Sequence, residues 1–266
     1  MRHIDHAIAL LGQAAAHAPA AFSTSLGLED MVLTDLIVKH APSISLFTLD
    51  TGRLHPETLS LLAETEAHYK KRIAVCVPQT QALEHYVRLN GINGFYDSVS
   101  QRQDCCAVRK VEPLRRALTG KRAWVTGLRR EQAVSRAALE ESAFDAQYQL
   151  IKFNPLLDWT LDDVETYIAI HRVPVNRLHA QGYPSIGCAP CTRAIAPGED
   201  IRAGRWWWES ADKKECGLHL TATTSARSVA RPAAQSTAPS TTPSTTQTMT
   251  QAAALTTAQT TEAALI

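Results

Sequence analysis

The stretch AAFSTSLGLEDMVLTDLIVKH (residues 20–40) predicts a strand over Ala20–Ser25 followed by a helix over Leu28–His40. Val32 and Leu36 are spaced as on one face of a helix. The segment Ser23–Gly27, where the predicted strand runs into the helix, contains three hydroxyl groups and a glycine. Because the free N–H groups and the dipole of a helix N-terminus favour anions, this loop is a candidate anion cradle. An ordinary Ser/Gly turn that caps the helix is the alternative.

Short apolar runs and helical patterns alternate outward from this stretch. The predicted strands cover residues 20–25, 43–49, 72–77, 123–127 and 149–153. The predicted helices cover residues 4–16, 28–40, 56–70, 81–89, 107–118 and 161–171, the last with Thr160 as its N-cap. This alternation predicts an α/β fold with a mostly parallel sheet covered by helices on both faces. Such sheets bind ligands at the carboxyl ends of their strands.

A second polar loop, Asp50-Thr51-Gly52-Arg53, follows the second predicted strand. A glycine turn with Asp50 as a cap would explain part of it, but turn chemistry gives no reason for Arg53. Two such loops on neighbouring strands favour a nucleotide site.

A glycine and two arginines lie at or just after the end of the fourth predicted strand, and three further arginines follow the Cys-x-x-Cys motif at residues 188–191. Arginine forks match phosphate and sulfate oxygens bidentately, whereas the alternative is a solvated charged surface. The candidates are Gly127, Arg129, Arg130, Arg193, Arg202 and Arg205.

Composition limits the remaining function classes. The 266 residues include 27 Lys+Arg and 26 Asp+Glu, and the resulting charge of +1 gives no indication of nucleic-acid binding. Neither a signal peptide nor a membrane span is predicted, so we expect a cytoplasmic location with reduced thiols. Residues 221–266 are mostly Thr, Ala, Ser, Pro and Gln and are predicted to form a disordered tail after a folded region of residues 1–220.

Four cysteines form two pairs, Cys105-Cys106 and Cys188-Ala-Pro-Cys191. A lone Cys-x-x-Cys is compatible with zinc, an iron–sulfur cluster or a redox pair. The side chains of adjacent residues diverge, so both can reach one centre only when that centre is broad. A cubane cluster suits this arrangement better than a single zinc ion. Cys76, within an apolar strand, is expected to be an ordinary core residue.

Cys216 lies among Lys213, Lys214 and His219. Nearby cations stabilise a thiolate, which makes Cys216 a candidate nucleophile. An unreactive thiol near a disordered tail is the alternative.

These motifs together resemble the thioredoxin-dependent, cluster-containing adenylyl-sulfate reductases of the phosphoadenylyl-sulfate reductase family. The resemblance covers roughly residues 20–220. It rests on four segments in family order: Cys105-Cys106 with Arg109-Lys110, Gly187–Arg193, Arg205-Trp206-Trp207-Trp208-Glu209 and Lys214–His219.

The resemblance implies a Rossmann-like fold of the adenine nucleotide alpha-hydrolase type and one 4Fe-4S cluster bound by Cys105, Cys106, Cys188 and Cys191. It also implies that Cys216 attacks the sulfur of adenosine 5'-phosphosulfate, releases AMP and forms an S-sulfocysteine, from which thioredoxin or a glutaredoxin-like reductant releases sulfite. The implied substrate-binding residues include Ser23, Ser25, Gly27, Glu29 and Lys110, and His219 belongs to the motif around Cys216.

The related pyrophosphatase loop has a second glycine where this chain has Ser25-Leu26, which argues against ATP hydrolysis. Two other functions stay open: reduction of 3'-phosphoadenylyl sulfate, and a zinc-stabilised nucleotide- or tRNA-binding module without redox activity. The sequence predicts no membrane partner, and the oligomeric state is left open.

Overall fold

A computed structural model describes residues 2–132 and 136–210. Its helices are α1 (Arg2–Ala16), α2 (Leu28–His40), α3 (Pro56–Tyr69), α4 (Thr80–Asn90), α5 (Val99–Cys106), α6 (Glu112–Leu118) and α7 (Leu161–His171). Its strands are β1 (Ala20–Thr24), β2 (Ser45–Leu49), β3 (Ala74–Cys76), β4 (Ala123–Val125), β5 (Ser142–Asp145) and β6 (Leu150–Phe153).

The strands form one sheet in the order β3-β2-β1-β4-β6-β5. Every neighbouring pair is parallel except β5 and β6. The chain order runs away from β1 in both directions, towards β2 and β3 on one side and towards β4 on the other. The carboxyl ends of β1 and β4 are therefore the switch point at which such sheets bind ligands.

Helices cover both faces of the sheet, as predicted. Alternate residues of β1 point to opposite faces of the sheet. Phe22 packs into the larger core with α1, α2 and α7, and Ala21 packs into a smaller core with α6. The alternation follows from the two-residue period of a strand. The predicted α/β class is confirmed.

One buried carboxylate connects three helices of the larger core. Asp35 of α2 is 2% exposed and accepts hydrogen bonds from Tyr167 of α7 at 2.6 Å and Tyr69 of α3 at 3.0 Å. Lys39 approaches the same carboxylate at 2.7 Å. Burial raises the pKa of both tyrosines, so both hydroxyls remain donors.

Two predictions about elements were wrong. The helix predicted to start at residue 107 is preceded by α5, and a π-helical turn over Ala107–Val111 joins α5 to α6. Helix α5 was not predicted because its sequence is mostly polar, so it has no apolar residues at the spacing of a helix face. Strand β5 was missed because it is an edge strand whose side chains are mostly exposed.

Within the described residues, no helix combines the length and apolar character needed to cross a bilayer. The predicted boundary at residues 220 and 221 and the predicted tail lie outside the described ranges.

Candidate active site and cysteine cluster

A cavity of about 570 Å³ opens at the carboxyl ends of β1, β2 and β4, which is the expected position for a nucleotide. Thr24, Leu49 and Thr126 line it from these strand ends. The predicted site residues that line it are Ser23, Ser25, Gly27, Glu29, Thr51, Lys110, Gly127, Arg129, Arg202 and Arg205.

The carboxylate of Asp30, in the first turn of α2, holds the loop after β1 in place by hydrogen bonds. Asp30, 8% exposed, accepts hydrogen bonds from the backbone N–H and the hydroxyl of Ser25, both at 2.6 Å. Burial raises the pKa of the Asp30 carboxyl from 3.8 to about 6, although the Ser25 hydrogen bonds oppose this shift. Leu26 has a φ of 61°, at the position where the sequence departs from the related pyrophosphatase loop. One backbone donor of the predicted anion cradle is thus already used within the protein.

Gly127 is the partner that Asp30 requires. A Cβ atom at residue 127 would lie 2.2 Å from Oδ1 of Asp30. Any larger residue at this position would therefore displace the carboxylate that orders the loop after β1.

Arg129 is buried in an ion-pair network at the cavity wall. It donates to Glu29 at 2.9 Å, to Glu131 at 2.6 Å and to the carbonyl of Trp159 at 3.1 Å. The arginine is 1% exposed. The Arg129 guanidinium therefore orients the Glu29 carboxylate. It also adds positive charge to the wall of the cavity.

Five of the predicted site residues that the structure describes lie outside the lining of the large cavity: Asp50, Gly52, Arg53, Arg130 and Arg193. Asp50 accepts a hydrogen bond at 2.8 Å from the N–H of Gly52, itself a predicted site residue outside the lining. Arg130 pairs with Asp158, and Arg193 pairs with Glu199 at 2.8 Å. These contacts describe a turn and two surface ion pairs.

Arg53 lies at the second, smaller cavity. It donates to the side chain of Asn93 at 3.0 Å and stacks 5.4 Å from the ring centre of Phe95. The sequence singles out this arginine as more than a turn residue, and the structure places it beside the cysteines and not beside the loop after β1.

All four predicted metal-binding cysteines line this smaller cavity, which has a volume of about 20 Å³. Cys105 and Cys106 are the last residues of α5, and Cys188 and Cys191 flank a single 3-10 turn. Each cysteine is at most 9% exposed. Lys110 and Trp206 line both cavities, which places the cysteine cluster next to the candidate nucleotide site.

Polar groups surround the four sulfurs. The hydroxyl of Thr51 lies 3.3 Å from Sγ of Cys188, and Arg109 hydrogen-bonds the Cys105 thiol. Nε of Arg109 and the indole Nε1 atoms of Trp206 and Trp208 are buried and have no hydrogen-bond partner among the described residues. Buried donors without partners are costly, and Arg109 and Trp206 both line the cysteine cavity, so these two donors fit additional sulfur acceptors between the cysteines.

Among residues 2–132 and 136–210, no group of three or more His, Cys, Asp or Glu side chains has the geometry for one metal ion. A polynuclear centre does not need the four sulfurs to converge on one point, because each thiolate binds a different iron. The four-cysteine arrangement therefore fits a broad centre better than a mononuclear one.

Burial controls the protonation of these thiols. It raises the pKa of the Cys191 thiol to about 12, with Cys188 adding to the effect and Lys110 and Arg205 opposing it. The pKa of the Cys105 thiol is also raised by burial, while Arg109 lowers it. Binding of a metal centre must therefore release protons from the thiols, and the neighbouring cations favour the thiolates that result.

The segment after the cysteines is fixed by two arginines. The guanidinium of Arg205 lies so close to Gly187 that a Cβ atom there would be 2.5 Å from one of its nitrogens. Arg102 of α5 forms a bidentate pair with Glu209 at 2.9 Å, and these two side chains are 1% and 4% exposed. Both arginines also stack on Trp206 at 4.7 Å.

Cys216 and His219, the predicted nucleophile and its motif partner, lie outside the described residues. The sequence assigned no role to Asp30, Arg109 or Trp206, although all three stand within quoted motifs. Two sequence signals could have identified two of them. Asp30 is a carboxylate next to a phosphate-type loop, and Trp206 belongs to a tryptophan run that follows a cysteine motif.

Comparison with known proteins identifies the family of this chain. Residues 19–194 match the phosphoadenosine phosphosulfate reductase domain. An adenosine 5'-phosphosulfate reductase of Allochromatium vinosum is 60% identical over 198 residues, covering 74% of this chain and 77% of that protein. One of Burkholderia cepacia is 52% identical over 224 residues, covering 84% of this chain and 89% of that protein.

The fold comparison leads to the same family. A crystal structure of phosphoadenylyl-sulfate reductase from Candida auris, in complex with phosphate, superposes with a TM-score of 0.61 at 28% identity. The match covers 73% of this chain and 97% of that one. The chain therefore belongs to the phosphoadenosine phosphosulfate reductase family, as its cysteine, arginine and tryptophan motifs predicted.

Proposed function

We propose that this chain reduces adenosine 5'-phosphosulfate to sulfite and AMP in sulfate assimilation, with a protein dithiol as the reductant. The observation that carries the proposal is the shared wall between the two cavities: Lys110 and Trp206 line both the nucleotide-sized cavity and the cysteine cavity. The similarity to enzymes named adenosine 5'-phosphosulfate reductase supports the same substrate. We place the reaction in the cytoplasm, where a dithiol reductant is available.

The reaction divides into two thiol exchanges. The Cys216 thiolate attacks the sulfur of the substrate, the bond from that sulfur to the phosphate oxygen breaks, and AMP leaves with the electron pair. A thiolate of the reductant then attacks Sγ of Cys216, and sulfite leaves. The second thiol of the reductant resolves the mixed disulfide and restores the Cys216 thiolate, so two electrons pass from the dithiol to the sulfate sulfur.

The described residues supply binding and charge. Lys110, Arg202 and Arg205 line the cavity, where cations offset the negative charge of the phosphosulfate during attack. The loop after β1 and the N-terminus of α2 line the same cavity and provide hydroxyl and backbone donors. Orientation for in-line attack accounts for much of the rate gain in such exchanges.

A 4Fe-4S cluster is proposed for the cysteine cavity, with Cys105, Cys106, Cys188 and Cys191 as its ligands. When bound, the cluster would supply a local electrostatic field next to the sulfate. Thr51, Arg109 and the buried indole N–H of Trp206 are the donors that can hydrogen-bond its sulfurs.

Anaerobic sulfite release with reduced thioredoxin tests the proposal. Adenosine 5'-phosphosulfate should be turned over far faster than its 3'-phosphorylated analogue, and the protein should contain iron and acid-labile sulfide. A preference for the 3'-phosphorylated nucleotide would assign the chain to the other branch of the family. One zinc per chain without sulfite release would instead support a binding module.

A further inference from the structure

We propose that Trp124 is a positioning residue for the nucleotide. Its indole N–H holds the Ser23 hydroxyl so that the Ser23 proton donates to an acceptor atom of a nucleotide in the large cavity. This inference rests on the proposed function, because it takes the large cavity as the nucleotide site.

Ser23 and Trp124 are joined by a hydrogen bond between neighbouring strands. Nε1 of Trp124, on β4, lies 2.8 Å from Oγ of Ser23, on β1. An indole N–H can only donate, so the Ser23 oxygen is the acceptor. A hydroxyl has a single proton, and the Ser23 proton cannot be directed at Trp124. It must therefore serve an acceptor elsewhere.

Two other hydroxyls that line the cavity already use their protons within the protein. Ser25 donates to Asp30 at 2.6 Å, and Thr126 donates to Oδ1 of Asn154 at 2.5 Å. The amide nitrogen of Asn154 donates to a backbone carbonyl at 2.8 Å, which keeps Oδ1 directed at Thr126. For the Ser23 proton, the described part of the chain supplies no acceptor. Ser23 lines the cavity and is only partly buried, so its proton is available to a ligand there.

The indole of Trp124 is held on all sides. It is 0% exposed, the ring of Tyr148 meets it edge-on at 5.2 Å, and Nζ of Lys152 lies 4.7 Å from its centre. Parallel pairing with Ala21 of β1 and Lys152 of β6 fixes its backbone. A serine hydroxyl rotates to suit its partners, so a rigid donor beside it sets its direction before the ligand arrives. Such preorganisation lowers the entropy lost on binding.

The polarity of Ser23 defines the kind of ligand atom that it can bind. A hydroxyl that donates needs an acceptor, and AMP carries acceptors on its phosphate, its ribose and its adenine ring. Loss of a hydrogen bond to a charged phosphate oxygen weakens binding more than loss of one to a neutral atom. Adenosine, which lacks the phosphate, therefore distinguishes the two sources of the acceptor.

The test is a double-mutant cycle on AMP affinity, measured by calorimetry with the full-length protein and its metal centre. Ser23→Ala removes the donor and should weaken AMP binding by about five- to tenfold. Trp124→Phe keeps an aromatic ring, removes the N–H and should weaken binding by a similar factor. The double variant should bind within about twofold of either single variant, because both substitutions act through one hydrogen bond.

A direct contact between the Trp124 ring and the nucleotide predicts a different result, since Trp124 also lines the cavity. The losses of the two single variants would then multiply to about 25-fold or more in the double variant. That outcome, or an unchanged AMP affinity in Ser23→Ala, would overturn the role given to Trp124.

Leu118→Ala is the control for lost core packing. Leu118 is 2% exposed in the same small core as Trp124 and lies outside the cavity lining. The variant should lower the thermal midpoint and leave AMP affinity within about twofold of wild type. With adenosine, an equal loss in Ser23→Ala assigns the acceptor to the nucleoside, and a loss confined to AMP assigns it to the phosphate.

Indole N–H signals in NMR spectra cover the case in which Trp124→Phe does not fold. Ser23→Ala should move one of the five tryptophan indole signals. AMP should move the same signal in wild type, because a hydroxyl that donates becomes a stronger acceptor. If AMP leaves this signal in place, the inference is wrong. Wild-type protein that binds neither AMP nor adenosine would instead refute the proposed function.

Discussion

Single cysteines carry the proposed metal site, and each of the four is expected to matter. Cys106 is the last residue of α5 and lines the cysteine cavity. Cys106→Ala should lower bound iron and acid-labile sulfide together, because one iron loses its protein ligand. The measurement is metal and sulfide content of protein purified without oxygen.

Cys76→Ala is the matched control, because Cys76 lies on the edge strand β3 outside the cysteine cavity. Its iron content should equal that of wild type. Full iron occupancy in the Cys106 variant would show that the adjacent pair does not supply two ligands.

Because of Asp30, we expect the stability of the folded protein to decrease as the pH rises through about 6. Its folded-state pKa of about 6 lies above the ordinary value of 3.8, because burial disfavours the charged form. The protonated carboxyl therefore contributes stability that is fully present below about pH 4 and is lost as the pH rises through about 6. Asp30→Asn, which cannot ionise, should flatten this part of the profile of thermal midpoint against pH.

Asp5→Asn on the exposed side of α1 is the control for surface charge. Titration of the Asp30 carboxyl carbon by NMR gives an independent reading. A titration midpoint near pH 4 would contradict the raised pKa of Asp30 and show that burial does not disfavour its charged form.

At the scale of elements, α5 is tied to the segment after the second cysteine pair by Arg102 and Glu209. Glu209→Ala removes both hydrogen bonds that Glu209 accepts from a guanidinium that is 1% exposed. Removing one partner of such a buried pair costs about 3–5 kcal/mol of unfolding free energy. We expect a lower thermal midpoint and lower iron retention, since the pair connects the two cysteine-bearing segments.

Glu209→Gln retains a hydrogen-bond acceptor and should lose less stability than Glu209→Ala. Glu199→Gln breaks the exposed pair with Arg193 and serves as the surface control, with little change in stability. Equal thermal midpoints for wild type and Glu209→Ala would contradict the role given to the buried pair.

The elements also show how far the sequence could predict the site. The strand, loop and helix of residues 20–40 were predicted closely because apolar periodicity and loop chemistry are local properties. Helix α5 was not, because its residues are polar and it is stabilised by partners 100 residues away, such as Glu209. The N-cap at Thr160 was predictable for the same reason as residues 20–40, since its capping-box partner Asp163 is local.

Long-range pairing also decided which arginines reach the cavity. Arg129, Arg130 and Arg193 look alike in the sequence, yet Arg129 is buried at the cavity and the other two form surface pairs. Their partners Glu29, Asp158 and Glu199 could not be assigned from spacing alone. The cysteine pairs were predictable because their spacing restricts the chemistry before any fold is known.

For the whole molecule, the sequence assigns no ligand and no packing pattern to residues 221–266, which lie outside the described ranges. Truncation after Leu220 should therefore preserve iron content and the preference for adenosine 5'-phosphosulfate, with only a modest change in rate. Steady-state kinetics with both nucleotides provide the measurement. A reversed preference or loss of iron would show that the tail belongs to the functional unit.

The proposed function as a whole depends on Cys216 as the nucleophile. Intact-protein and peptide mass spectrometry of the wild-type protein, mixed with adenosine 5'-phosphosulfate and no reductant, tests this most directly. We predict one added sulfonate group on Cys216, absent from Cys216→Ser, which should keep its iron because the nucleophile lies outside the ligand set. An adduct on another cysteine, or none while AMP is still released, would contradict the account.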